Sequence, residues 1–227
     1  MDRYALYYAP AADSALARFG AAILGYDAAT GAEVPHRVPD GAEDWPAATT
    51  EPRKYGFHAT LKAPFLLAED ATRQDLEAAM AAFAAATRPV VLDGLAVTSI
   101  GPFCALTPVG DPQGVNDLAS RAVVAFDRFR APMTPADRER RLKSPLSARQ
   151  IQYLDAWGYP YVHEEFRFHM TLTGPLHIDI RDGVRAGLTA AYAEAVPAGP
   201  VAVDQIVLFR QAPGERFRIV ARAAFTG

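Results

Sequence analysis

Phe57-His58-Ala59-Thr60-Leu61-Lys62-Ala63-Pro64-Phe65 returns later in the chain as Phe168-His169-Met170-Thr171-Leu172-Thr173-Gly174-Pro175-Leu176. Phe, His, Thr, Leu and Pro keep their order at an offset of 111 positions (169 − 58). The same offset aligns Pro89-Val90-Val91-Leu92-Asp93 with Pro200-Val201-Ala202-Val203-Asp204 without a gap. Two segments in one register over that distance mark the chain as a duplicated unit.

The elements around these segments repeat in the same order. In the first half, residues 3–9 alternate as a strand and 13–24 read as a helix. A strand over about 56–62 carries the first motif, an alanine-rich helix covers 72–87, and a β-branched strand covers 90–99. In the second half, a strand at 103–108, a helix at 114–130, the motif strand 167–172, a helix at 181–195 and a strand at 201–209 follow in turn. The Pro213-Gly214 turn then leads into a last strand, 216–225. This order predicts an α+β fold in one bilobal domain over 1–227, its lobes formed by repeats at about 3–100 and 102–210. Each lobe is expected to be a mostly antiparallel sheet with outer helices, and the two His-x-Thr strands to line a central cleft. Pro64 and Pro175 are expected to stop the motif strands, and Asp93 and Asp204 to start later ones. Two long stretches rich in Pro, Gly and charge, 27–54 and 131–166, break the symmetry; each runs into a motif strand and reads as a flap over the cleft.

Composition narrows the function. The 227 residues hold 23 Lys+Arg and 26 Asp+Glu, a net charge of −3, which argues against coating long nucleic acid and leaves room for a small phosphorylated substrate. The single cysteine, Cys104, excludes a disulfide framework and a Cys-rich zinc site, and fits a reducing, cytoplasmic home. No apolar run approaches the roughly 20 residues that span a bilayer, and the polar start Met1-Asp2-Arg3-Tyr4 is unlike a signal peptide. Only three lysines occur, Lys54, Lys62 and Lys143, so their positions stand out against the arginines.

Strand alternation puts Phe57, Ala59 and Leu61 on one face and His58, Thr60 and Lys62 on the other. In the second copy Phe168, Met170 and Leu172 face inward, leaving Arg167, His169, Thr171 and Thr173 opposite. Two imidazoles flanking one ligand can supply a neutral base and a charged acid together. That pairing suits in-line displacement at phosphorus, with one histidine activating water and the other protonating the departing oxygen. Thr60 and Thr171 stand one strand repeat from the histidines, placed to donate to phosphoryl oxygens. Lys62, Arg167 and Lys143 are the expected substrate-binding cations, Lys143 from the basic run Arg138, Arg140, Arg141, Lys143 and Arg149 in the second insertion. Such a run otherwise reads as a solvated helix face. No metal and no cofactor is expected.

His58-Ala59-Thr60-Leu61 and His169-Met170-Thr171-Leu172 resemble the paired motifs of the 2H phosphoesterase superfamily, named for two His-x-Thr/Ser-hydrophobic segments in a duplicated fold. The resemblance implies metal-independent chemistry on cyclic phosphodiesters, chiefly nucleoside 2′,3′-cyclic phosphates or related sugar phosphates; some members join or open 2′-5′ linkages in RNA. Arg53-Lys54-Tyr55-Gly56 before the first motif and Trp157-Gly158-Tyr159-Pro160-Tyr161 are similar to the bacterial branch associated with phosphonate-utilisation operons, which implies a phosphorylated or cyclic-phosphate sugar intermediate. The long insertions and acidic balance depart from the compact RNA-ligase-like members.

Other readings stand beside this one. His58 and His169 could be satisfied core histidines, and His163-Glu164-Glu165 invites a metal, although not at zincin spacing. His36, His163 and His177 have no partner in the other copy and read as structural. Tyr153, Trp157, Tyr159 and Tyr161 offer a stacking platform or simply pack the insertion. A sensor for a phosphorylated metabolite and RNA end processing or ligation are the alternative functions.

Overall fold

The two repeats meet edge to edge in the computed structural model, which describes residues 1–227. The first half runs β1 (Arg3–Tyr8), α1 (Ala15–Leu24), β2 (Tyr26–Asp27), β3 (Ala32–Glu33), α2 (Trp45–Ala48), α3 (Thr50–Arg53), β4 (Ala59–Leu66), α4 (Arg73–Ala85), β5 (Val90–Leu92) and β6 (Gly94–Ile100). The second runs β7 (Phe103–Val109), α5 (Gln113–Phe126), α6 (Pro135–Leu142), α7 (Ala148–Trp157), β8 (Met170–Thr171), α8 (Ile178–Ala195), β9 (Val201–Val203), β10 (Gln205–Gln211) and β11 (Arg218–Ala224). Helix ends follow local chemistry. Ser14 caps α1 by accepting from the Ala17 amide, and Gly25 closes it in the left-handed region. Reciprocal capping boxes, Thr72 with Asp75 and Ser147 with Gln150, start α4 and α7.

The expectation of a separate sheet in each lobe is corrected. Seven strands form one sheet in the order β11-β10-β1-β4-β8-β7-β6, every neighbouring pair antiparallel. Its centre is the β4–β8 junction, where Ala59 pairs with Met170. The small β5–β9 ladder pairs Val91 with Ala202. Both are pairs of residues that the repeat offset equates, so a local twofold axis passes through both. About that axis β10-β1-β4 mirrors β6-β7-β8, and β11 is the extra strand at one edge. The outermost mirrored strands are exchanged: β6 lies in the first repeat yet pairs with β7, and β10 lies in the second yet pairs with β1. Neither half of the sheet is therefore a contiguous stretch of chain.

All four long helices of the repeats pack on one face. A cluster of 38 buried residues joins Tyr4, Leu6 and Tyr8 of β1 to α1, α4, α5 and α8, with Ala59, Leu61, Met170 and Leu172 of the motif segments at its middle. The other face stays open apart from a cluster of 8 residues, including Ala5, Tyr7, Val207, Phe209 and Phe217. Alternation thus sorts the sheet into a helix-covered face and an open face, and His58, Thr60, His169 and Thr171 fall on the open one.

Alternation fails beyond Thr60, which corrects the expectations for Lys62 and Pro64. Thr60 is opposite Tyr7 while Lys62 is opposite Leu6, so Leu61 is the extra residue of a β-bulge. The bulge turns Lys62 onto the helix face, where it is 3% exposed and its Nζ donates to Asp127 Oδ1 at 3.0 Å and to the Val123 carbonyl at 3.2 Å. A second irregularity, between Tyr4 and Leu6, coincides with Pro64. Pro64 therefore sits inside β4 at a bulge, where a missing amide is tolerated, rather than ending the strand. Pro175 does lie beyond β8. Thr173 bounds the compartment of His58 and Thr171 but is buried, and its hydroxyl accepts from the Cys104 amide at 3.0 Å.

Asp127 also accepts from Arg130 Nε at 2.8 Å. Removing Lys62 thus leaves the carboxylate paired, whereas removing Asp127 strands a buried ammonium. We expect Asp127→Ala to lower unfolding stability by about 3 kcal/mol and Lys62→Met to lower it distinctly less, as urea titration would show.

Candidate active site

Each motif histidine is held in the same way. His58 Nδ1 lies 2.8 Å from the Gly56 carbonyl, and His169 Nδ1 lies 2.7 Å from the Arg167 carbonyl, two residues upstream in both copies. A carbonyl only accepts, so Nδ1 carries the proton and Nε2 is left as the free nitrogen of the neutral ring. Gly56 has a φ of 75°, and a Cβ there would meet Ala28 Cβ at 2.6 Å, so glycine is required where the chain turns into the first motif.

Continuing the Ala59–Met170 register by one residue each way sets His58 opposite Thr171 and Thr60 opposite His169. The two histidines are then diagonal neighbours, about 7–8 Å apart at the backbone. The cavities follow the same crossing. A compartment of 430 Å³ is bounded by His169 and Thr60 together with Phe103, Tyr159, Tyr161 and Arg167. A smaller one of 250 Å³ is bounded by His58 and Thr171 with Glu51, Tyr55 and Phe103. An alanine-lined cavity of 290 Å³ between α1 and β2 contains neither histidine. Both insertions wall the site: Glu51 and Pro52 come from the first, Gln150, Tyr159, Tyr161 and Glu165 from the second.

Both imidazoles are half-buried on the open face. Burial lowers the His58 pKa to about 4 against the pull of the Gly56 carbonyl, with His169 adding to the lowering. His169 is lowered too, by burial against the Arg167 carbonyl. Thr60 Oγ1 stands 3.4 Å from His58 Nε2, within reach of the same ligand atom.

Of the expected substrate cations, the structure brings Arg167 to the larger compartment, exposed and without an acidic partner. Lys62 is on the wrong side of the sheet, bound to Asp127, so it is removed from the substrate-contacting set. Lys143 caps the end of α6, exposed and outside both compartments. From the same basic run it is Arg141 that approaches the site, its guanidinium 5.5 Å from the Tyr159 ring centre. Arg138 and Arg140 pair with Asp155 and Asp137, as solvated helix residues do. The aromatic platform divides: Tyr159 and Tyr161 line the site, whereas Tyr153 and Trp157 pack edge-on against His163. His163 itself bonds Ser120, His36 bonds Arg53 and the Ile23 carbonyl, and His177 caps α8. Sequence reasoning missed Tyr7, which stacks on His58 at 3.7 Å; it read only as a strand residue, and no motif singles it out.

Two His-x-Thr segments related by a local twofold thus lie side by side in one antiparallel sheet. The chain belongs to the family described as a protein of unknown function, DUF1045, which matches residues 60–218. It is 39% identical over 233 residues to "Ribose 1,5-bisphosphate phosphokinase PhnN" of Janthinobacterium sp. (strain Marseille), covering 100% of this chain and 51% of that protein. A protein of the same name from Laribacter hongkongensis (strain HLHK9) is 38% identical over 183 residues, covering 78% of this chain and 42% of its own length. The chain thus spans about half the length of these curated relatives. Among solved structures, E. coli LigT complexed with 3′-AMP is 16% identical with a TM-score of 0.44, covering 100% of this chain and 99% of its own. TT0787 of Thermus thermophilus is 14% identical with a TM-score of 0.46, covering 99% of this chain and 98% of its own.

Because folding holds His58 neutral, the unfolded chain binds its proton first as pH falls. The stability that this ring contributes is intact above about pH 6.5 and is lost progressively toward its native pKa of about 4. We expect His58→Gln to flatten the loss of stability over that window, measured by denaturant midpoint against pH.

Proposed function

We propose that this chain is a metal-independent phosphodiesterase that opens a small cyclic phosphate ester. The observation that carries the reading is the crossed arrangement of two histidines and two threonines, each ring with Nδ1 tied to a carbonyl and Nε2 left unprotonated. One neutral ring takes a proton from water as its oxygen bonds to phosphorus. The ester P–O bond on the far side breaks, and the second ring, protonated, gives its proton to the departing oxygen. Water is added across one ester bond, the product is a phosphomonoester beside a free hydroxyl, and a proton exchange with solvent resets the pair. Thr60 and Thr171 donate to the non-bridging oxygens, where charge accumulates. Arg167 receives a further anionic group in the larger compartment, with Arg141 behind Tyr159.

The name of the curated relatives points to a particular sugar. Opening the 1,2-cyclic phosphate of ribose 5-phosphate at its O2–P bond yields ribose 1,5-bisphosphate, the compound in that name. A phosphodiesterase joined to a kinase for that compound would hand its product to its neighbour. On this reading the kinase activity belongs to the part of the relatives outside this chain. None of Lys54, Lys62 and Lys143 follows a glycine, so these 227 residues hold no Gly-x-x-x-x-Gly-Lys phosphate loop. A nucleoside 2′,3′-cyclic phosphate is the second reading, favoured by the Phe103, Tyr159 and Tyr161 rings around the 430 Å³ compartment.

The test is hydrolysis of ribose 5-phosphate 1,2-cyclic phosphate and of 2′,3′-cyclic AMP in EDTA, followed by phosphorus NMR. The expected result is opening of the sugar ester at undiminished rate in chelator; strict dependence on added divalent metal overturns the mechanism. His58→Ala and His169→Ala should each lower kcat by about 10²–10⁴-fold, and Thr60→Val or Thr171→Val by about 10–100-fold.

A further inference from the structure

The local twofold is broken at one position beside the histidines. Tyr7 of β1 is opposite Thr60, and Ala105 of β7 is opposite Thr171, so a tyrosine and an alanine occupy equivalent places on the open face. The Tyr7 ring lies nearly parallel to the His58 ring, 3.7 Å between centres and 17° between planes. Phe209 lies 6.0 Å and Tyr55 6.3 Å from the same imidazole. His169 has no stacked ring; Phe103 is tilted at 48° and 5.9 Å away.

Resting on the phosphodiesterase reading, we propose that Tyr7 divides the roles of the two histidines: His58 is the general base that deprotonates the attacking water, His169 is the general acid that protonates the departing oxygen, and Tyr7 is the positioning residue that sets this order. A ring whose face is covered by hydrocarbon loses water and favours its neutral form, and Tyr7 covers His58 where Ala105 supplies no ring to stack on His169. The titratable groups facing His58 are Tyr7, Tyr55 and His169, with Glu51 bounding the same compartment. Those bounding the compartment of His169 are Arg167, Glu165, Tyr159 and Tyr161. The lowering of His58 by burial runs in the same direction. Cavity sizes agree with the division: the 250 Å³ side by His58 suits water, and the 430 Å³ side by His169 holds the body of the ester. In the step itself the water proton passes to His58 Nε2 as the new O–P bond forms. The opposite P–O bond breaks and its oxygen takes the proton from His169 Nε2.

Two measurements on the whole chain test this. The Cε1–H resonances of His58 and His169, assigned with His58→Gln and His169→Gln, are followed by NMR against pH. His58 should titrate below His169, Tyr7→Phe should keep that order, and Tyr7→Val, which suits a strand but removes the ring, should bring the two midpoints together. The second probe is bis(4-nitrophenyl) phosphate, whose leaving group needs no proton. His169→Gln should stay within about tenfold of wild type, and His58→Gln should lose about 100-fold or more. His58 titrating at or above His169, an unchanged separation in Tyr7→Val, or the reverse pattern on the aryl ester overturns the division. A wild-type protein that opens neither cyclic ester nor the aryl diester overturns the phosphodiesterase reading and the division with it; a reversed pattern in an active enzyme overturns the division alone.

Discussion

One backbone contact organises the molecule: the antiparallel pairing of Ala59 with Met170. Because those residues are equivalent in the repeat, the pairing makes the junction self-complementary and places each histidine across from the other copy's threonine. Both residues have small or flexible side chains buried in the helix-side core, at 0% exposure, so the strands can approach while the polar side chains remain on the opposite face. A register slip of one residue would send the imidazoles into hydrocarbon. The site is thus a consequence of where two strands touch, with loops contributing its walls.

The duplicated motif made the two histidines and two threonines legible, and helix ends could be read because Ser14, Gly25 and Thr72 act locally. What could not be read was set by pairing between distant segments. The bulge at Leu61 arises from the register of β4 on β1, and it alone moves Lys62 from the polar face to Asp127. Scarcity of lysine drew attention to Lys143, but α6 directs that residue to solvent and Arg141 toward Tyr159. Strand alternation recognises faces; it does not recognise a sheet that continues across a repeat boundary, which is why the sequence pattern predicts two sheets where one exists.

The environment of the site is built to keep both imidazoles neutral in the free protein. In the proposed reaction, the negative charge of a phosphodiester would favour protonation of one of them, so that ligand would complete the charge state the reaction needs. The insertions that interrupt the repeat give the two compartments different walls: a short acidic helix end at Glu51 on one side, tyrosines and a Gln150–Glu165 hydrogen bond on the other.

The exchange of β6 and β10 also governs how the chain reaches its native state. Strand β1 cannot find its outer neighbour until synthesis has passed Gln211, some two hundred residues later, because Arg3 pairs with Gln211. Assembly of so distant a ladder is slow relative to local helix formation, and until it happens one edge of β1 stands unguarded on the nascent polypeptide.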